Sequence, residues 1–130
     1  MDKNIAVKGC TVKDMTGGGT VKIDSNPNAS IKCNDKNAYF GTITVSVSDS
    51  NGGGIINNSN GSGTGTITGT GSKVLGGGQP AVLEGDTGAV TVRGTRTDPA
   101  PPPAGSVTTD VYAKVTVKIT AAGQVKVVAL

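Results

Sequence analysis

GTGTITGTGSKVLGGGQPAVLEGDTGAVTVRG, residues 63–94, holds three short runs of β-branched and small apolar residues. They are Thr66–Thr68, Ala81–Leu83 and Val90–Val92, and glycine-rich breaks separate them. Runs of this kind read as strands joined by tight reversals, because glycine reaches positive φ at little steric cost.

The same pattern extends in both directions. Over Phe40–Ser48, Ile43, Val45 and Val47 share one face while Thr42, Thr44, Ser46 and Ser48 share the other. That alternation predicts a strand with one buried and one wet face. Val111, Ala113, Val115, Val117 and Ile119 alternate with Tyr112, Lys114, Thr116 and Lys118. Ala121–Gln124 reads as a reversal leading into Val125–Leu130, so a long C-terminal β-hairpin is expected. Shorter strands are expected over Ile5–Lys8, Thr20–Asp24 and Ser30–Cys33, with a turn at Ser25–Asn28.

Two segments stand apart. Asp49–Gly63 (DSNGGGIINNSNGSG) is either a flexible loop or the narrow end of packed hairpins, where large side chains would not fit. Asp98–Gly105 (DPAPPPAG) is short of backbone donors and favours extended geometry, so it reads as a stiff exposed connector within a single domain spanning residues 1–130. Triple glycines recur at 17–19, 52–54 and 76–78, and Gly-Thr-Ile-Thr recurs at 41–44 and 65–68. The spacing is too uneven for a solenoid. Three glycine-tipped hairpins around one axis fit it better. The expected fold is therefore all-β, built of short glycine-rich hairpins with pseudo-three-fold character.

Composition supports strand and limits the core. Val and Ile together number 24 against three Leu, one Phe, two Tyr and no Trp, and there are 21 Gly. β-branched residues fit pleated surfaces, but small side chains bury little area at roughly 25 cal/mol per Å². A partner surface that completes the fold, or a slender body with narrow layers, would answer that shortage. The net charge of +3 is spread along the chain without a Lys/Arg block. Aromatic platforms for bases are nearly absent, so no nucleic-acid partner is expected. No apolar run approaches the roughly 18 residues of a membrane helix. No apolar stretch follows the start as in a secretory signal, so synthesis in a cytoplasm is expected.

The chemistry on offer is sparse. Histidine is absent, which removes the commonest general base and the histidine-activated nucleophiles. Asp24, Asp35, Asp49 and Asp98 adjoin Ser, Asn or Pro, where Asp bonds its own backbone. The glycine-rich segments lack the Lys-Ser/Thr ending of a phosphate loop. No catalysis and no small-molecule substrate are expected. Cys10 and Cys33 admit three readings: buried thiols, a disulfide, or half of a metal site completed from elsewhere.

Gly78-Gln79-Pro80-Ala81-Val82-Leu83, followed by Gly85-Asp86, resembles the core of the PAAR-repeat family, in which a glycine turn leads into Pro-Ala-Ala-Arg and then Gly-Asp. Val82 and Leu83 stand where that family has its second Ala and its Arg. The resemblance covers Thr64 to Arg93. It implies a small cone of β-strands sitting as one copy on a trimeric β-helical spike. Such tips occur in type VI secretion systems, contractile phage tails and extracellular injection particles, and they contact a target membrane transiently as they pierce it. Family members often hold zinc through His and Cys; with no His here, Cys10 and Cys33 are all that the resemblance leaves as candidate ligands. Two other classes fit the same residues: a structural decoration or fibre domain without tip function, and a surface-binding β-sandwich, which ordinarily carries the Trp that this chain lacks.

Overall fold

The computed structural model describes residues 3–27, 31–33, 35–76, 78–103, 105–124 and 128–129. The strands are β1 (Lys3–Asn4), β2 (Thr11–Asp14), β3 (Thr20–Ile23), β4 (Lys32–Cys33), β5 (Lys36–Asn37), β6 (Thr42–Ser50), β7 (Gly61–Thr68), β8 (Gly71–Gly76), β9 (Gln79–Ala81), β10 (Thr87–Pro99), β11 (Ser106–Ala121) and β12 (Val128–Ala129). A single 3-10 turn, Gly52–Gly54, is the helical content of the described residues. The all-β fold expected from alternation is what the chain adopts.

Six strands form one antiparallel sheet in the order β2-β11-β10-β7-β6-β3. Its two outer strands, β2 and β3, touch across the remaining seam, so the sheet rolls into a nearly closed barrel. The inward faces are those the alternation marks. Ile43, Val45, Val47, Ile67, Val90, Val92, Val115, Val117 and Ile119 are buried, while Thr42, Thr44, Thr91, Lys114 and Thr116 are exposed. Each fully buried Val or Ile side chain stabilises by roughly 1.5–3 kcal/mol.

Glycine permits the roll. Gly61, Gly63 and Gly65 occupy the inward positions of β7. A Cβ on Gly63 would lie 2.1 Å from the Thr91 carbonyl oxygen of β10, and one on Gly65 would lie 2.5 Å from that of Ala89. Only strands without side chains at these rows bend this tightly, as at a barrel corner.

Strand direction defines two ends. The starts of β6 and β10 and the ends of β7 and β11 lie together at one end. A second apolar cluster packs there, made of Ile5, Val7, Ala38, Ala81 and Leu83 with Phe40 against it. The opposite end carries the β6–β7 connection and the tip of β10–β11.

Several expectations are corrected. The long hairpin is not C-terminal: β11 pairs with β10 and β2, whereas β12 pairs with β1, Lys3 opposite Ala129. Val125–Val127 lie outside the described residues, as do Asn28 and Ser30 of the expected turn and strand. Asp98 and Pro99 end β10 and Ser106 begins β11, so the proline run lies at the tip of that long hairpin; Ala104 is outside the described residues. Pro99 is in the ladder, opposite Ser106. It is tolerated because the absent N–H would point to the free edge of β10. The triplets at 17–19 and 52–54 sit in reversals of the rolled sheet, whereas Gly76 and Gly78 serve the separate β8-β9 pair. The reversals are not equivalent, so a rolled barrel takes the place of a pseudo-three-fold cone. The Asp49–Gly63 segment is anchored: Ile56 is fully buried in the main core.

Candidate functional site

β10 and β11 pair along all 13 residues of β10, from Thr87 opposite Lys118 to Pro99 opposite Ser106. Their neighbours stop early. β7 last pairs with β10 at Arg93–Ser62, and β2 covers β11 only from Val117 onward. Gly94–Pro99 and Ser106–Val111 therefore leave the barrel as a two-stranded ribbon about 20 Å long at roughly 3.4 Å per residue. Gly105 through Asp110 are all exposed, on both faces.

The two edges of this ribbon differ. Thr95 and Thr97 direct their backbone groups away from β11, and the asparagines of the β6–β7 loop meet them. Thr95 N–H donates to Asn60 Oδ1 (2.9 Å) and Thr97 N–H to Asn57 Oδ1 (2.8 Å). Asn57 Nδ2 donates to the Thr97 carbonyl (2.7 Å), and Asn58 Nδ2 to the hydroxyls of Thr95 and Thr97 (2.9 Å each). Side-chain amides thus stand in for a neighbouring strand. Low-complexity Asn is what this task needs, since a primary amide carries both a donor and an acceptor.

The β11 edge has no such cover. Met15 N–H donates to the Thr116 carbonyl (2.8 Å), and Thr116 N–H donates to Thr16 Oγ1 (3.1 Å). Thr116 therefore turns both backbone groups outward. Antiparallel alternation gives Lys114, Tyr112, Asp110 and Thr108 the same orientation. Among the described residues nothing pairs with those outward groups. The outer face here is charged and aromatic. Arg93 Nη2 meets Asp110 Oδ2 at 2.9 Å, and its guanidinium lies over the Tyr112 ring at 5.7 Å. Tyr112 is 62% exposed and Val107 47%. Lys114 has no ion-pair partner among the described residues.

The residues singled out from the sequence lie at the other end and serve the fold. Gly78 takes φ 82° in the β8–β9 turn, and Gln79 is exposed. The Pro80 carbonyl accepts from Gly41 N–H (2.7 Å). Ala81, Val82 and Leu83 are buried, and Val82 is bonded to both neighbours: its N–H donates to Tyr39 O (3.0 Å) and its carbonyl accepts from Ala6 (2.8 Å). Gly85, at φ 94°, donates to Ile119 O. Asp86 is a buried clamp. It accepts from Leu83 N–H (2.8 Å), Thr70 N–H (3.2 Å) and the Thr70 hydroxyl (2.5 Å). The segment is a strap across the barrel end. A groove nearby, about 480 Å³, is open and lined by Lys3, Glu84 and Lys118; Glu84 already accepts from Ala122 N–H.

Cys10 is half-buried, and burial pushes its thiol up to about 11, partly offset by a backbone hydrogen bond. It is protonated at neutral pH. Cys33 lies in β4, and among the described residues no three His, Cys, Asp or Glu side chains group as metal ligands. The zinc chemistry that the resemblance implies thus finds no matching donor set in the described residues. Comparison with protein-family models, with curated proteins and with solved structures gave no significant match.

The ribbon edge was missed in the sequence because its prolines suggested a connector. The signal was there in the flanks: Thr95-Arg96-Thr97-Asp98 and Ser106-Val107-Thr108-Thr109-Asp110 are polar, β-prone and matched in length around the proline run.

Proposed function

We propose that the chain is a structural subunit rather than an enzyme, and that it builds into a larger protein assembly through its projecting ribbon. One observation carries this reading: a continuous edge of β11 whose outward backbone groups from Thr108 to Lys114 pair with nothing among the described residues. Natural sheets cover, twist or shorten such edges unless a partner strand occupies them. The absence of histidine and the protonated Cys10 agree with a non-catalytic role.

Within that class, the resemblance of Gly78–Asp86 to the PAAR core supports one specific machine. The chain would cap the trimeric β-helical spike of a contractile injection system as a single copy and meet the target membrane transiently. The reach of the ribbon favours the other member of the class, a decoration or fibre subunit present in many copies. Both readings use the same edge.

The experiment is incorporation. Particles from cells making the chain are sedimented, and bound copies are counted by quantitative mass spectrometry. Wild type should co-sediment, and Tyr112→Pro should stay behind although folded. The Tyr112 N–H points outward, so proline there spares the β10–β11 ladder. One copy per spike trimer selects the cap, and many copies select the fibre or decoration subunit. A wild-type chain found only in the free fraction would end the proposal.

A further inference from the structure

We infer that the occupant of the β11 edge is the same edge of a second copy, paired antiparallel across a two-fold axis at Tyr112. The inference rests on the reading of the ribbon as the docking element, and it names the partner.

The geometry narrows the choice. A self-complementary contact must bring each residue opposite its symmetry mate. Residues with outward backbone groups must also face each other, so the bonded pairs are drawn from Thr108, Asp110, Tyr112 and Lys114. Thr116 is already engaged by Met15 and Thr16, which ends the usable edge. Few registers remain. Centring on Asp110 or on Lys114 sets like charges directly opposite, which is destabilising. Centring between Asp110 and Tyr112 aligns Asp110 with Tyr112 and Lys114 with Thr108; Asp110 keeps Arg93, but Lys114 gains no acidic partner. Centring on Tyr112 places Asp110 opposite Lys114 twice, once on each side of the axis, and Tyr112 opposite itself. It forms three fully bonded pairs, and every cross-strand neighbour is favourable.

Charge complementarity therefore selects both partner and register. In that register the second strand ends where Met15 and Thr16 take over the edge at Thr116. The product is a four-stranded sheet, β10-β11 continued by β11-β10 of the second copy, with a barrel at each end. The asparagine-capped edge of β10 stays outside the contact, so this edge-to-edge contact joins two copies and no more, and the dimer is the unit that enters the larger assembly.

The test uses the full chain in solution. Sedimentation equilibrium should show a monomer–dimer balance. Asp110→Lys and Lys114→Asp should each weaken the dimer about tenfold, since each reverses two symmetric pairs. The double exchange should restore it. Both sites are exposed, and circular dichroism confirms that the variants fold. Tyr112→Cys should yield a disulfide-linked dimer on mild oxidation, because paired Cα atoms about 5.5 Å apart suit a disulfide; wild type controls for Cys10 and Cys33. A strictly monomeric wild type, or a dimer indifferent to both reversals, overturns the inference. If Tyr112→Pro nevertheless loses particle incorporation, the edge serves another chain and the structural role stands. If incorporation survives that substitution, the structural role through this edge fails separately.

Discussion

Asp14 shows how a single side chain organises a reversal. Burial alone would raise its pKa. The Ser50 hydroxyl (2.6 Å) and the amides of Gly17 (2.7 Å), Gly19 (3.1 Å) and Thr16 (3.0 Å) outweigh that and hold the carboxyl below its ordinary value. Its folded form binds a proton less readily than the unfolded chain. The stabilisation is therefore complete above the unfolded pKa of about 3.9 and is lost as pH falls toward the folded value. Melting temperature should drop as pH goes from 5 to about 2.5, and Asp14→Asn should flatten that dependence. At neutral pH the same substitution should cost about 1–3 kcal/mol, because an amide cannot accept from every donor in the pocket. Gly17 has no tolerance here: a Cβ would lie 2.2 Å from Ser50 Oγ. Cys10 is the opposite case, a thiol kept neutral by burial. Iodoacetamide should label it far more slowly in the folded chain than in urea at pH 7.5, since only the thiolate attacks.

Elements divide into those that close the barrel and those that leave it. β7 bends because its inward residues are glycine, so Gly63→Ala should cost about 1–3 kcal/mol through backbone displacement, read as a lower denaturation midpoint. The ribbon has the reverse profile. Its residues bury little, and its capped edge is held by Asn57 and Asn60. Asn57→Ala with Asn60→Ala should leave the barrel's melting nearly unchanged, yet expose a second free edge. Light scattering should then rise with concentration as chains add strand to strand.

At the scale of the molecule, the two ends do different work. Val82 and Leu83 are buried in the strap, and Val82→Asp should unfold the chain, because an unpaired buried charge is costly. Loss of dispersed amide chemical shifts would report it. Replacing residues 96–109 with a two-residue Asn-Gly turn should do the opposite. Thr95 still meets Asp110, so the barrel folds and melts as before, and the remaining Asp110–Lys114 edge keeps incorporation into particles, which an added Tyr112→Pro abolishes. Dispersed spectra with wild-type melting, combined with incorporation that survives Tyr112→Pro, would contradict the assignment of function to this edge.

Side-chain alternation was enough to read strand from Thr42–Ser48 and Ala113–Ile119 and to choose their buried faces, because a period of two is a local property of the pleat. Composition likewise dictated a thin Val/Ile core without helix. Pairing was not legible, because which strand lies beside which depends on closure of the whole sheet. The Ala121–Gln124 reversal looked like a hairpin turn, but Ala122 and Gln124 bond to Val7 and Ile5, carrying the chain past β11 toward β1. The proline run looked like a connector, since its lost donors are local, while the free edge that makes Pro99 harmless is a tertiary fact. Gly85-Asp86 read as a motif, and its role as a clamp on Leu83 and Thr70 exists only once residues 16 apart meet. The functional edge belongs to the same category. Thr108 to Lys114 carry the same backbone groups as any strand, and only the early departure of β2 leaves those groups without a partner among the described residues.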